Sequence, residues 1–170
     1  MTSAVAYVGL GSNLGDPVQE VRSAVVELGR APGIRVERCS SLYRTAPIGD
    51  TAQPDFINAV CRVQTTLGPR AVLDVLLGIE VDRGRRRDAV GGGPRILDLD
   101  LLLYGDEVMD SPGLVLPHPR LHERAFVLYP LAEIAPSLNV PGHGAVQALS
   151  RRCAAQRIER VVDDAGPARA

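Results

Sequence analysis

Gly93-Pro-Arg-Ile-Leu-Asp-Leu-Asp-Leu-Leu-Leu-Tyr104 is the stretch on which the fold turns. Glycine and proline break whatever precedes, and an apolar run follows from Ile96 to Tyr104, short enough for a strand. Side chains alternate across a strand, so Asp98 and Asp100 share one face while Leu97, Leu99, Leu101 and Leu103 take the other. A rise of about 3.3 Å per residue places the two carboxylates roughly 6–7 Å apart. Taken alone, the pair suits either a solvated sheet face or one or two hard cations such as Mg²⁺.

Working outward, the elements on either side set the order. Ala4–Gly11 reads as a buried strand. Asp16-Pro17 supplies an N-cap and a first-turn proline, and Val18, Val21, Val25 and Leu28 follow at helical spacing up to Gly29. Ile34–Thr45 alternates as a second strand, Ala46–Asp55 is a loop, and Phe56–Leu67 is a third strand. Pro69 opens a second helix through Val72, Leu73, Leu76, Leu77 and Glu80, and Arg83–Arg95 is a polar, glycine-rich loop into the acidic strand. The order β-α-β-β-α-β predicts an α+β, ferredoxin-like fold: an antiparallel sheet with helices packed on it. A Pro-rich loop, a short helix near Ala125–Ala135 and another near Ala145–Ala154 form a C-terminal helical extension. The tail Asp163–Ala170 is expected to fray.

The chain has 170 residues, 45% hydrophobic and 23% charged, with a net charge of −1. That length suits one domain, residues 1–170 with its core over 4–140. No apolar run approaches the roughly 20 residues of a membrane span. The N-terminus enters a strand without a basic region or cleavage site, which argues against a secretory signal. Near-neutral charge argues against general nucleic-acid binding. Cys39, Cys61 and Cys153 are scattered and odd in number, and are expected to be buried free thiols in a reducing cytosol. All 19 basic residues are arginine, which excludes a Schiff-base or P-loop lysine.

Three further segments carry chemistry. Arg83-Gly-Arg-Arg-Arg-Asp-Ala-Val-Gly-Gly-Gly-Pro-Arg95 places five arginines in 13 residues just ahead of the acidic strand. Arginine binds phosphate oxygens bidentately, although such runs are also ordinary solvated charge. Pro117-His-Pro-Arg-Leu-His-Glu-Arg-Ala-Phe126 clusters two histidines and two arginines, with His118 held between prolines. His122 and Glu123 fit no standard zinc spacing. Phe56 and Asn58 share one face at the start of a strand, an aromatic and an amide fit to stack on and bind a flat heterocycle, or simply core. Gly9, Gly11 and Gly15 do not have dinucleotide-fingerprint spacing, and the β-α-β-β order is not that of a Rossmann fold.

Together, Gly11-Ser-Asn-Leu-Gly15, Ser41-Leu-Tyr-Arg-Thr45, Gln53-Pro-Asp-Phe-Ile-Asn58, Gly93–Asp100 and Pro117–Phe126 resemble the 6-hydroxymethyl-7,8-dihydropterin pyrophosphokinase family over residues 4–140. The resemblance implies transfer of pyrophosphate from ATP to a pterin alcohol in folate synthesis, with AMP released. It implies two Mg²⁺ ions on Asp98 and Asp100. Arg85, Arg87, Arg95, Glu80, Leu101 and His118 would serve ATP, with Arg85 and Arg95 also acting on the reacting phosphates. Phe56 and Phe126 would sandwich the pterin, and Asn58 with Thr45, Pro47 and Ile48 would read its edge. Arg124 would stand where the substrates meet. The Arg83–Arg95 loop would close over ATP. A cytoplasmic monomer with no nucleic-acid or membrane partner is expected. Gly92 and Pro119 occupy positions often aromatic in the family, and Phe56 one often tyrosine. The rivals are a non-catalytic ferredoxin-like binding module and a phosphotransferase acting on another alcohol. The first has no use for inward acids, and the second is separated by the Phe56–Asn58–Phe126 pocket.

Overall fold

The computed structural model describes residues 2–48, 52–84 and 96–162. The expectations for Arg85, Arg87, Arg95 and the 163–170 tail fall outside them.

The elements run β1 (Ala4–Ser12), α1 (Pro17–Arg30), β2 (Ile34–Cys39), β3 (Tyr43–Thr45), β4 (Phe56–Thr65), α2 (Pro69–Asp82) and β5 (Asp98–Tyr104). A hairpin β6 (Met109–Ser111) and β7 (Leu114–Leu116) follows, then a 3-10 turn Leu121–Glu123 and α3 (Ala125–Ile134). The chain continues through β8 (Asn139–Val140), β9 (Gly144–Ala145), α4 (Val146–Arg152) and β10 (Ile158–Arg160). The main sheet orders β10-β3-β4-β1-β5, with β2 also on β4, and its pairings are antiparallel. Counting β2 and β3 as one interrupted strand, this is the expected ferredoxin-like order.

Local chemistry explains the helices. Asp16 accepts the Gln19 N–H as the N-cap of α1, Pro17 opens it, and Val21, Ala24, Val25 and Leu28 form its buried stripe. That stripe and Val72, Leu76 and Ile79 of α2 pack on one sheet face, against Ala6, Val8 and Leu10. The opposite face carries α3 and α4, with Leu128, Leu131 and Leu149 against Tyr7 and Val60. Burying both faces costs the central strands their polar alternation, which is why β1 and β4 read as nearly continuous apolar runs.

Three details differ from expectation. The second strand is broken at 40–42. Buried Ser40 donates its main-chain N–H to the Val60 carbonyl at 2.9 Å, accepts the Val60 N–H on Oγ at 3.0 Å and donates from Oγ to the Ser41 carbonyl at 2.7 Å. Its side chain therefore replaces ladder bonds where the strand bends. In β5 the register slips: Val8 faces Leu101 but Tyr7 faces Leu103. The extra residue turns Leu103 away from Leu97, Leu99 and Leu101 and into the α3–α4 core. Finally, Cys39 and Cys61 are not free thiols. They are cross-strand partners on β2 and β4, with Cα atoms 4.1 Å apart, and form a disulfide. Their separation of 22 residues hid a pairing that only register creates. Cys153 is free and buried.

No helix among the described residues is long and apolar enough to cross a membrane.

Candidate active site

The α3 side of the sheet holds a cavity of about 680 Å³. Its floor is β1, where Gly9 and Gly11 present no side chains. Gly9 is paired with Asp100 and Val60, and Gly11 with Asp98 and Asn58. The two acids and the amide therefore flank a bare main-chain strip. A Cβ at Gly11 would fall 2.6 Å from Asn58 Oδ1, so the glycine makes room for that amide. Asn58 Nδ2 donates to Thr45 Oγ1 at 2.7 Å, which holds the amide in place from β3.

Asp98 and Asp100 are half-buried, while Glu80 on α2 is 1% exposed. Glu80 Oε2 accepts the main-chain N–H of Leu99 at 2.8 Å. A buried carboxylate thus grips the peptide between the two aspartates and fixes the pitch of the acid pair. Leu73 and Leu77 of α2 form an apolar wall beside the acids.

The opposite wall is cationic. His118 N–H donates to the Leu102 carbonyl at 2.9 Å, which anchors the turn against β5. Its Nδ1 accepts the Arg120 N–H at 3.2 Å, so the neutral ring carries its proton on Nε2, available as a donor. Burial first, then the Arg124 charge, lowers the His118 pKa below 6.5, against the opposing pull of Asp98. Arg124 is half-buried, and burial depresses its pKa while Asp100 and Asp98 raise it. Its guanidinium lies 5.2 Å from the Phe126 ring centroid, within cation–π range. Phe126 and Phe56 line the apolar end with Ala46 and Ile48.

Of the residues predicted from sequence, Ile48, Phe56, Asn58, Glu80, Asp98, Asp100, His118, Arg124 and Phe126 line this one cavity. Thr45 does not; it is buried behind Asn58. Pro47 does not line it either. Leu101 does not line it: its side chain is 4% exposed in the α1–α2 core. Arg83, counted with the arginine loop, is committed elsewhere. It binds Glu20 at 2.8 and 3.0 Å and Glu27 at 3.0 Å, tying α2 to α1.

The sequence reading missed Gly9, Gly11, Gln53 and Arg120 as lining residues. The period-2 glycines beside the acid strand were a legible signal, since both fall on one face of β1. Gln53 was not legible as a partner. It accepts from Asn13 Nδ2 at 3.0 Å and joins two of the quoted motifs across 40 residues. His122 stacks on His143, rings 4.0 Å apart, and among the described residues no group of three or more His, Cys, Asp or Glu is arranged to hold a metal.

The family model for 7,8-dihydro-6-hydroxymethylpterin-pyrophosphokinase (HPPK) matches residues 7–136, a span that holds every element of this cavity. This chain belongs to that family. As a member it is an enzyme of the pyrophosphokinase class. It is 43% identical over 155 residues to the 2-amino-4-hydroxy-6-hydroxymethyldihydropteridine pyrophosphokinase of Pseudomonas aeruginosa, covering 91% of this chain and 95% of that one. The enzyme of the same name from Methylorubrum extorquens is 47% identical over 146 residues, covering 86% and 92%. In fold, the chain superposes on a crystal structure of HPPK-DHPS in complex with substrates with a TM-score of 0.73 at 12% identity, over 89% of this chain and 45% of that one. Plasmodium falciparum HPPK-DHPS with pteroate gives 0.71 at 13% identity, covering 89% and 42%. This chain thus spans less than half the length of those solved chains.

Proposed function

We propose that this enzyme transfers pyrophosphate from ATP to the hydroxymethyl group of 6-hydroxymethyl-7,8-dihydropterin, releasing AMP, and that the cavity on β1 is its active site. The observation that carries the reading is the floor: two carboxylates and one amide flank Gly9 and Gly11, with His118 and Arg124 opposite.

The residues divide the work by chemistry. Phe56 and Phe126 offer aromatic faces to a flat ring, and the Thr45-held Asn58 amide offers a donor and an acceptor to its edge. Asp98 and Asp100 are hard oxygen donors beside a strip without side chains, which fits Mg²⁺ ions that keep water and phosphate oxygens in their remaining positions. When bound, those ions would be held by Asp98 and Asp100 and would neutralise charge on the phosphates. Neutral His118 donates from Nε2 to a phosphate oxygen. Arg124 places a fixed cation where the pterin alcohol meets the β-phosphorus, and stabilises charge that develops there. Arg85, Arg87 and Arg95 supply further cations to the triphosphate. The alcohol oxygen attacks the β-phosphorus in line, AMP departs, and Asp98 takes the hydroxyl proton.

The proposal includes a monomer in the cytoplasm, where ATP and the pterin are supplied, with the Cys39–Cys61 cross-link of a kind rare in that compartment. Incubation with hydroxymethyl-dihydropterin, ATP and Mg²⁺ tests the reading. AMP should form in equal amount to pyrophosphorylated pterin; ADP in its place would refute pyrophosphoryl transfer.

A further inference from the structure

Arg124 stands at the N-cap of α3, and its guanidinium lines the cavity. N-cap side chains usually accept a hydrogen bond from a first-turn N–H, and arginine has no acceptor. Accordingly α3 has no side-chain bond from its cap residue. Gln156 supplies the missing partner from 31 residues away. Its Oε1 accepts the Ala125 N–H at 3.0 Å, and its Nε2 donates to the Glu123 carbonyl at 2.8 Å. One amide therefore holds the main chain immediately before and immediately after Arg124. Gln156 is itself fixed, its N–H donating to the Cys153 carbonyl at 3.0 Å just past α4. It also lies beyond the 7–136 span of the family match.

We propose that Gln156 is a positioning residue for Arg124: a substitute cap that lets an arginine occupy the N-cap of α3 and aims its guanidinium into the cavity. The inference rests on the reading of that cavity as the active site. The carboxamide presents both the acceptor that Ala125 needs and the donor that Glu123 needs on one planar group. Glutamate keeps the first bond alone, and leucine keeps neither. Because the two bonds flank Arg124 itself, a loosened N-cap moves its cation out of the cavity.

The test is a double-mutant cycle in the assay with ATP, Mg²⁺ and hydroxymethyl-dihydropterin. Gln156→Leu should lower kcat/KM by roughly ten- to a hundredfold, the range for a misplaced active-site group. Gln156→Glu should lose less. In an Arg124→Ala background, Gln156→Leu should change kcat/KM less than about twofold, because the residue it positions is gone. An equal loss in both backgrounds overturns the proposal and leaves the active-site reading standing. If Arg124→Ala alone leaves turnover unchanged, Arg124 is not in the site and the proposal falls with that assignment. If Gln156→Leu does not fold, Gln156→Glu carries the same cycle. Amide exchange supplies a readout independent of activity. The Ala125 N–H should be protected in the wild type and exchange at least tenfold faster in Gln156→Leu. Equal exchange would overturn the capping role.

Discussion

Gly11→Ala is the substitution that best separates the packing of this site from its chemistry. The new Cβ would lie 2.6 Å from Asn58 Oδ1. That atom ends a side chain, so the contact is relieved when the amide swings aside. The swing breaks the 2.7 Å bond from Asn58 to Thr45, and both residues are buried. Losing a hydrogen bond and leaving buried polar atoms unpaired costs about 1–3 kcal/mol. Alanine on an extended strand returns about 0.5–1 kcal/mol by narrowing the unfolded ensemble. With mid-range values of about 2 and about 0.75 kcal/mol, the net loss is about 1.25 kcal/mol, or a fall in Tm of about 2.5–5 °C for a domain of this size. The displaced amide also leaves the pterin wall, so the KM for pterin should rise at least about tenfold, equivalent to about 1.4 kcal/mol. The KM for ATP should stay within about twofold. Thermal melts and steady-state assays with each substrate varied measure both effects. Adding Asn58→Ala should recover part of the lost Tm, because the obstructing oxygen is gone, without recovering pterin affinity. Wild-type Tm and pterin KM in Gly11→Ala, or a double variant less stable than the single one, would refute this account of the cavity floor.

Other predictions follow from the acids, the histidine and the disulfide. Asp98→Asn should lower turnover by about 10²–10³, and raise the Mg²⁺ concentration for half-maximal rate; a wild-type Mg²⁺ titration would remove Asp98 from the metal set. His118 is neutral in the folded state because burial, then Arg124, depresses its pKa below 6.5. Below pH 6.5 the unfolded chain therefore binds this proton first, so the stability it contributes is present above pH 6.5 and is lost as pH falls through the folded pKa. Urea melts should show a shallower decline between pH 7.5 and pH 5 in His118→Gln than in the wild type, and equal slopes would contradict the assignment. Reducing Cys39–Cys61 reopens a loop of 22 residues and should cost about 3 kcal/mol on chain-entropy grounds. A Tm that dithiothreitol leaves untouched would show that this cross-link does not hold β2 to β4.

The acid strand, the two helices opened by proline and the strand order were legible because each rests on short-range rules. Period-2 alternation set Asp98 and Asp100 on one face, and Asp16-Pro17 marked the start of α1. The motif around Gln53–Asn58 pointed to the pocket, and Phe56 and Asn58 do line it. The bulge in β5 was invisible, since nothing in a run of leucines says where one residue will slip. The strand β10 was also missed, because Ile158–Arg160 has no alternation long enough to read and owes its form to pairing with β3.

What the sequence determined by itself is the family, the fold class and the residue types of the cavity, all encoded in spacings of a few residues. What tertiary structure alone decided is partnership. It set Gly11 beneath Asn58, Glu80 on the peptide between the two aspartates, Cys39 against Cys61, and Gln156 astride Arg124. The physical reason is range. Side-chain periodicity is fixed by local backbone geometry, whereas hydrogen bonds and cross-links are made at about 3 Å, between segments whose register depends on how the whole sheet and its two cores pack.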